Sequence, residues 1–204
     1  MQLKALKDLI ESDHENRHFY VDFDHTLLLT NSTDLLINSA RPRFIFLPLF
    51  KGLSLLKPLI VMRQKSTLLW RDPIRVRLVR YLQGKQVVET FRKSSRQMWQ
   101  RYKNDQLCDL IRKLPPSNVT IVSFGIDEVI LNLLEGTSFE NIKIVAPSAA
   151  TMTKERRKGK LGMLRERGVV FDPQRDVVIS NSKEDDADLL ARVEQSFHIE
   201  WAQR

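Results

Sequence analysis

The sequence has one cysteine, Cys108, among its 204 residues, so an internal disulfide is excluded. This cysteine falls in an apolar helical pattern, which is more typical of a small core residue than of a nucleophile. Internal repeats and low-complexity tracts are also absent. The hydrophobic share of 42% and the charged share of 28% are ordinary for a folded protein. The length suits one α/β domain, or such a domain with a modest insertion.

Acidic residues are scarcer than basic ones, with 25 Asp and Glu against 33 Lys and Arg and a formal net charge of +8. This excess favours anionic partners, namely phosphates or an anionic membrane surface, with nucleic acid the least favoured. Much of it lies between Arg63 and Lys113. The N-terminal residues alternate as in an amphipathic helix and lack the features of a secretory signal. We therefore expect a cytoplasmic protein, with the cytoplasmic face of a membrane as a further location.

A long uninterrupted apolar run is missing as well. Residues 44–62 form the most apolar stretch, but two prolines, two lysines and a glycine interrupt it, at Pro48, Lys51, Gly52, Lys57 and Pro58. A lysine in the middle of a bilayer costs about 2.5–3.5 kcal/mol on insertion scales, so a membrane span is not expected. Two interpretations stay open: a helical insertion packed on itself, or an interfacial hairpin that dips into one leaflet.

The stretch Phe19–Leu28 is the most informative part of the chain. It begins with an apolar run, typical of a buried strand, that leads directly into Asp22 and Asp24, with Thr26 two residues further on. Carboxylates crowded at the exit of a buried strand repel one another and lose hydration, so a cation or a shared proton has to compensate. One carboxylate can then act as a nucleophile while its neighbour transfers protons.

The rest of the chain alternates short β-branched runs with helical patterns. Strands are predicted at His18–Phe23, Asn118–Ser123, Asn141–Ala146, Asp176–Ser180 and Phe197–Trp201, and helices at Leu3–Ser12, Asn31–Ala40, Asp127–Leu134, Arg156–Arg167 and Glu184–Gln195. This alternation indicates an α/β fold with a parallel sheet. Residues 30–114 carry mainly helical spacing and form a predicted apolar and basic insertion, between core segments 1–29 and 115–204.

The first motif resembles that of the haloacid dehalogenase-like (HAD) phosphohydrolases, a hydrophobic strand followed by Asp-x-Asp-x-Thr. The resemblance implies a Rossmann-like core, a covalent aspartyl-phosphate and Mg²⁺ between the first Asp and the backbone carbonyl of the second. Asp22 would be the nucleophile, and Asp24 the acid that protonates the leaving group and later activates water. The insertion would be a helical cap, as in the phosphoserine phosphatase-like branch.

The resemblance also assigns the second and third motifs. Ser123 ends the second predicted core strand and is followed by Gly125, which suits a tight turn that binds a phosphate oxygen. The family's lysine, which neutralises the nucleophile and the phosphate, matches Lys160 by spacing, with Lys158 as the alternative.

The fourth motif departs from the family pattern. Asn181 stands where the metal-binding aspartate normally lies, and its amide oxygen can still bind Mg²⁺ but brings no charge. Either Asp185 or Asp186 would orient a metal-bound water, and spacing alone does not choose between them. His25 would turn away from both first-motif aspartates if strand geometry continued, so we interpret it as structural.

The sequence therefore predicts a Mg²⁺-dependent phosphatase that acts on a phosphomonoester. The first motif and the apolar, basic insertion are also similar to the HAD domain fused to some intramembrane prenyltransferases, which favours a lipid-linked or amphiphilic phosphate at the membrane surface. A soluble sugar or amino-acid phosphate is the competing substrate class, and phosphotransfer to an acceptor other than water stays open. The alternative function is a catalytically weak HAD-like module that binds an anionic membrane or nucleic acid.

Overall fold

The fold is seen in a computed structural model that describes residues 2–40, 71–84 and 86–200. Its strands are β1 His18–Asp22, β2 Val119–Val122, β3 Lys143–Val145, β4 Asp176–Ser180 and β5 Gln195–His198. They form one parallel sheet in the order β3-β2-β1-β4-β5. The predicted α/β fold class with a parallel sheet is confirmed.

Eight α-helices surround the sheet in the described part of the chain. They are α1 Gln2–Asp13, α2 Ser32–Asn38, α3 Arg71–Gln83, α4 Gln86–Tyr102, α5 Asp105–Ile111, α6 Asp127–Leu134, α7 Met152–Glu166 and α8 Ala187–Leu190. Every regular element described between β1 and β2 is helical, including the 3₁₀ turn Pro116–Asn118. The division into a core and a cap domain stays a prediction.

Both faces of the sheet are buried, as the apolar strand sequences require. Along β1, Phe19 and Val21 belong to one hydrophobic cluster and Tyr20 to another, because successive side chains point to opposite faces of a strand. The first cluster also contains residues of α4, such as Trp99, whose ring lies 6.3 Å from that of Phe23. Cys108 is fully buried, and burial raises the pKa of its thiol to about 12, which agrees with the predicted core role.

The register of the sheet fixes where the polar strand ends meet. Asp22, the last residue of β1, pairs with Val122 of β2, and Val21 pairs with Ile179 of β4. The carboxyl ends of these three neighbouring strands therefore lie along one edge. Since the chain turns to opposite sides of β1 to form β2 and β4, this edge is where α/β proteins bind ligands.

The last third of the chain differs from its predicted boundaries. The helix predicted over residues 184–195 is only the short α8, and Gln195 already belongs to β5. The reason is tertiary: the carboxylate of Asp186 is buried in a contact with Lys160, so the chain before α8 forms a loop rather than a helical turn. The predicted helix 156–167 begins earlier, at Met152.

Several basic residues between β1 and β2 form ion pairs in the described part of the chain. Examples are Arg75–Asp34, Arg80–Glu128, Arg92–Glu135, Lys103–Asp105, Arg112–Asp109 and Lys113–Glu11. The apolar stretch 44–62 lies outside the described residues, so its predicted packing or membrane contact stays a prediction. None of the described helices is both long and apolar enough to cross a bilayer.

Asp176, at the start of β4, makes the stability of the fold depend on pH. Its side chain is 4% exposed and accepts a hydrogen bond from the Asp172 N–H at 2.7 Å. Burial raises the pKa of this carboxyl from 3.8 to about 6, so the folded state holds the proton more tightly than the unfolded chain. Its contribution to stability is therefore greatest at low pH and is lost as the pH rises from about 4 to 6.

Replacing Asp176 by Asn removes this loss. We expect Asp176→Asn to gain about 1–3 kcal/mol of stability relative to the wild type between pH 4 and pH 7, measured by urea unfolding. Asp8→Asn is the matched control, since Asp8 is an exposed acid on α1. The expectation would be contradicted if the free energy of unfolding of Asp176→Asn differed from that of the wild type by the same amount at pH 4 and at pH 7.

Candidate active site

The chain leaves strand geometry immediately after Asp22. The Leu28 N–H donates to the Phe23 carbonyl at 2.9 Å, and His25 adopts a left-handed backbone conformation with φ 61°. The turn brings Asp22 and Asp24 into the wall of one cavity of about 560 Å³ at the carboxyl edge of the sheet. His25 lines the same cavity. The expectation that it faces away from the site is wrong, because strand geometry does not persist through this turn.

Asp22 is held by a cation on one oxygen and a hydroxyl on the other. Its Oδ1 lies 2.5 Å from Nζ of Lys160, and its Oδ2 accepts a hydrogen bond from Oγ1 of Thr26 at 2.8 Å. Burial raises the pKa of this carboxyl to about 7, while Lys160 acts in the opposite direction. The arrangement presents a poorly hydrated carboxylate whose charge depends on the neighbouring ammonium.

Asp24 is placed by the start of α2. Its Oδ1 accepts a hydrogen bond from the Ser32 N–H at 2.7 Å, and its Oδ2 lies 3.5 Å from Oγ of Ser123. Burial raises the pKa of Asp24 above its ordinary value, so its protonated form is favoured more than that of a solvated aspartate. A carboxyl in this state suits a general acid.

Ser123 lies in the turn that follows β2. Its N–H donates to the Val145 carbonyl at 3.0 Å, and its Oγ accepts a hydrogen bond from the Gly125 N–H at 2.9 Å. A side chain at position 125 would have its Cβ 3.0 Å from Asp24 Oδ2 and 2.7 Å from Ser32 Oγ. A side chain here would therefore displace the Ser32 hydroxyl and crowd the Asp24 carboxylate, so glycine suits the close approach of this turn to Asp24.

Arg156 fixes the same turn from α7, a role for which the sequence contains no local signal. The buried guanidinium donates from Nε to the Phe124 carbonyl at 2.9 Å, and a second donor of the same group reaches that oxygen at 2.5 Å. The Phe124 ring lies 5.5 Å from Nζ of Lys160. Arg156 therefore binds the Phe124 carbonyl and Lys160 lies near the Phe124 ring, so both cations contact the turn that is predicted to bind phosphate.

Lys160 is 2% exposed and lies between two carboxylates, those of Asp22 and Asp186. Burial alone lowers the pKa of this ammonium, but the two carboxylates together raise it above its ordinary value. Asp186 also accepts a hydrogen bond from Oγ of Ser180 at the end of β4. The site therefore contains a permanent positive charge next to Asp22.

The fourth motif contributes Asn181 and Asp185 to the cavity wall. The Asn181 N–H donates to Oγ1 of Thr26 at 3.1 Å, which ties the end of β4 to the turn after β1. Asp186 is fully buried beneath Lys160 and is not among the described residues that line the cavity. The two acids that the sequence did not distinguish thus occupy different positions.

The donor chemistry of the cavity wall fits Mg²⁺. Asp22, Asn181 and Asp185 offer carboxylate and amide oxygens, which are the ligands that this hard cation prefers. In the ranges that the structure describes, no three His, Cys, Asp or Glu side chains form a ready metal site. A magnesium site here would therefore need the Asn181 amide and, as the family resemblance implies, the Asp24 backbone carbonyl.

The remaining described residues that line the cavity are mostly of polar types. It consists of His25, Asn31, Ser123, Phe124, Arg156, Ser182, Lys183, Glu184 and His198. Phe124 is the one apolar side chain among the described lining residues. These polar side chains can donate and accept hydrogen bonds with a polar group attached to a phosphate.

Comparison with known proteins adds little to this geometry. No family model matches the chain, and no curated protein matches it either. Among solved structures, it is similar to cytosolic 5′-nucleotidase IIIB bound to cytidine, with 14% sequence identity and a TM-score of 0.48. The match covers 96% of this chain and 75% of that one. A likeness this distant carries no argument about function, and the fold class stands on the five parallel strands themselves.

Proposed function

We propose that this chain is a Mg²⁺-dependent phosphatase that hydrolyses a phosphomonoester through an aspartyl-phosphate, as the HAD resemblance implies. One observation carries the proposal: Asp22, Asp24, Ser123 and Lys160 line a single cavity at the carboxyl edge of the sheet. Two carboxylates, a hydroxyl and a buried ammonium are the groups that phosphoryl transfer through an aspartate requires.

The proposed reaction has two steps. Asp22 attacks phosphorus, the bond from phosphorus to the ester oxygen breaks, and Asp24 gives its proton to that oxygen. Asp24 then takes a proton from a water molecule, which attacks the aspartyl-phosphate and releases inorganic phosphate and free Asp22. Ser123 and Lys160 hold the equatorial phosphoryl oxygens, where negative charge is concentrated in the transition state. The raised pKa of Asp24 supports its part as proton donor.

Mg²⁺ is part of the proposal. Asp22, the Asp24 carbonyl, Asn181 and Asp185 would hold it, and when bound it would offset the negative charge of the phosphate beside Asp22. Lys160 supplies one positive charge of its own, and its buried position keeps water away from that charge. The exclusion of water strengthens the attraction between this ammonium and a phosphoryl oxygen.

Two substrate classes compete within the proposal. A lipid-linked or amphiphilic phosphate, reached from the cytoplasmic face of a membrane, is supported by the sequence of residues 44–62 and by the net charge. A soluble sugar or amino-acid phosphate is supported by the polar wall of the described cavity. We favour the soluble class, because the described lining side chains are nearly all polar and several basic residues of α3 and α4 are already paired with acids.

The first test removes the nucleophile. Asp22→Asn keeps the shape of the side chain but cannot form the aspartyl-phosphate, so we expect kcat for an aryl phosphate with Mg²⁺ to fall by at least about 10³-fold. Asp109→Asn, an exposed acid on α5, is the control and should keep wild-type activity. Equal trace activity in wild type and Asp22→Asn would reject the enzyme in favour of a binding module.

The second test concerns the amide at position 181. Asn181→Asp adds a negative charge among the proposed oxygen ligands, so we expect the Mg²⁺ concentration for half-maximal activity to fall about tenfold. Asn141→Asp adds the same charge at an exposed position outside the cavity wall and should leave the Mg²⁺ dependence unchanged. A Mg²⁺ requirement that is the same in Asn181→Asp and wild type would speak against Asn181 as a ligand.

The third test compares the substrate classes. We expect kcat/KM for sugar and amino-acid monophosphates to exceed that for a lipid monophosphate in liposomes by about tenfold or more, because nearly all described lining side chains can hydrogen-bond a polar leaving group. Asp22→Asn corrects for contaminating phosphatases. A preference for the lipid phosphate, together with sedimentation of the protein with anionic liposomes, would contradict this expectation.

A further inference from the structure

Helix α7 is broken at the residue before Lys160. Gly159 has φ 76° and ψ 173°, a conformation that essentially only glycine adopts. The break divides α7 into two helical segments, and Lys160 stands at the start of the second. The direction in which the Lys160 side chain leaves the backbone therefore depends on how this break is held.

Asp188 of α8 holds the break. Its Oδ2 accepts a hydrogen bond from the Leu161 N–H at 2.8 Å. The first N–H groups of a helical segment have no partner within that segment, so a carboxylate from elsewhere in the chain acts here as an N-terminal cap. A Cβ on Gly159 would overlap with the same Oδ2 atom. The glycine and the aspartate thus form one arrangement.

This arrangement acts on the backbone on both sides of Lys160. Gly159 precedes it and Leu161 follows it, and between them the lysine reaches Asp22 at 2.5 Å. Asp188 itself is absent from the described residues that line the cavity. The hydrogen bond to Leu161 therefore links Asp188 to the site through the main chain next to Lys160.

We infer that Asp188 is a positioning residue that sets the Lys160 ammonium against the nucleophile and the transferring phosphoryl group. The inference rests on the proposed phosphatase function. It differs from the role of Asp186, whose carboxylate contacts the ammonium directly. Asp188 instead fixes the main chain from which the lysine side chain starts.

The test compares two substitutions at this position. Asp188→Ala removes the acceptor for the Leu161 N–H, and we expect kcat for an aryl phosphate to fall about 10–100-fold with a smaller change in KM, because a displaced catalytic group costs most in the transition state. Asp188→Asn keeps an acceptor oxygen and should restore kcat to within about threefold of the wild type. Hydrogen exchange of the Leu161 amide should be slow in wild type and Asp188→Asn and fast in Asp188→Ala.

Asp172→Ala is the matched control, since Asp172 accepts a hydrogen bond from the Gln174 N–H at 3.0 Å in a turn outside the cavity. It should lower the melting temperature while leaving kcat unchanged. The inference is overturned if Asp188→Ala keeps the wild-type kcat despite fast exchange at Leu161. It is also overturned if Asp188→Asn does not restore kcat, or if Asp172→Ala lowers kcat as much as Asp188→Ala does. A wild type that hydrolyses no phosphomonoester while its Leu161 amide stays protected would instead reject the proposed function and leave Asp188 as a structural cap.

Discussion

The buried ammonium of Lys160 between Asp22 and Asp186 is the interaction on which the site depends. Each of these three charged groups costs free energy to remove from water, and the attraction between the ammonium and the two carboxylates compensates for that cost. Loss of one member of a buried ion pair typically costs about 3–5 kcal/mol, since its partner is left with an uncompensated charge. The sheet edge can therefore keep a dehydrated carboxylate at Asp22 only while the lysine stays in place.

Several local features of the chain can be understood as support for this interaction. The break at Gly159 places Lys160 at the start of a helical segment, and Asp188 caps that segment. Ser180, at the end of β4, donates to Asp186 and so holds the second carboxylate under the ammonium. On the other side, Arg156 fixes the turn that carries Ser123 by binding the Phe124 carbonyl. The supporting residues come from β4, α7 and α8, so the site requires the folded sheet and its crossover helices together.

The sequence predicted the part of this site that depends on strand ends. Asp22 and Ser123 follow short apolar runs, and the carboxyl ends of parallel strands share one edge, so their proximity follows from the fold class. The spacing that selected Lys160 over Lys158 agrees with the geometry, since Lys158 instead pairs with Glu166.

The contacts of Asp186, Arg156 and Asp188 could not be predicted in the same way. They join residues through tertiary packing, and neither helical nor strand periodicity carries information about such contacts. The direction of His25 could not be predicted for a related reason, because a left-handed residue three positions after the end of β1 redirects the chain without a glycine to signal it.

The Thr26 hydroxyl gives a physical reason why an amide can occupy position 181. Its oxygen accepts the Asn181 N–H and lies 2.8 Å from Asp22 Oδ2 and 3.1 Å from Asn181 Oδ1. A hydroxyl has a single proton, and the shorter contact assigns it to the carboxylate of Asp22. Asn181 Oδ1 therefore keeps its lone pairs for another partner, and a cation in the cavity is the partner that such an oxygen suits.

A carboxylate at position 181 would add a further negative charge beside Asp22. The positive charge of Lys160 is already shared between Asp22 and Asp186. The neutral amide thus spares the buried carboxylates a repulsion that an aspartate would impose, and it would bind the proposed Mg²⁺ less strongly than an aspartate would.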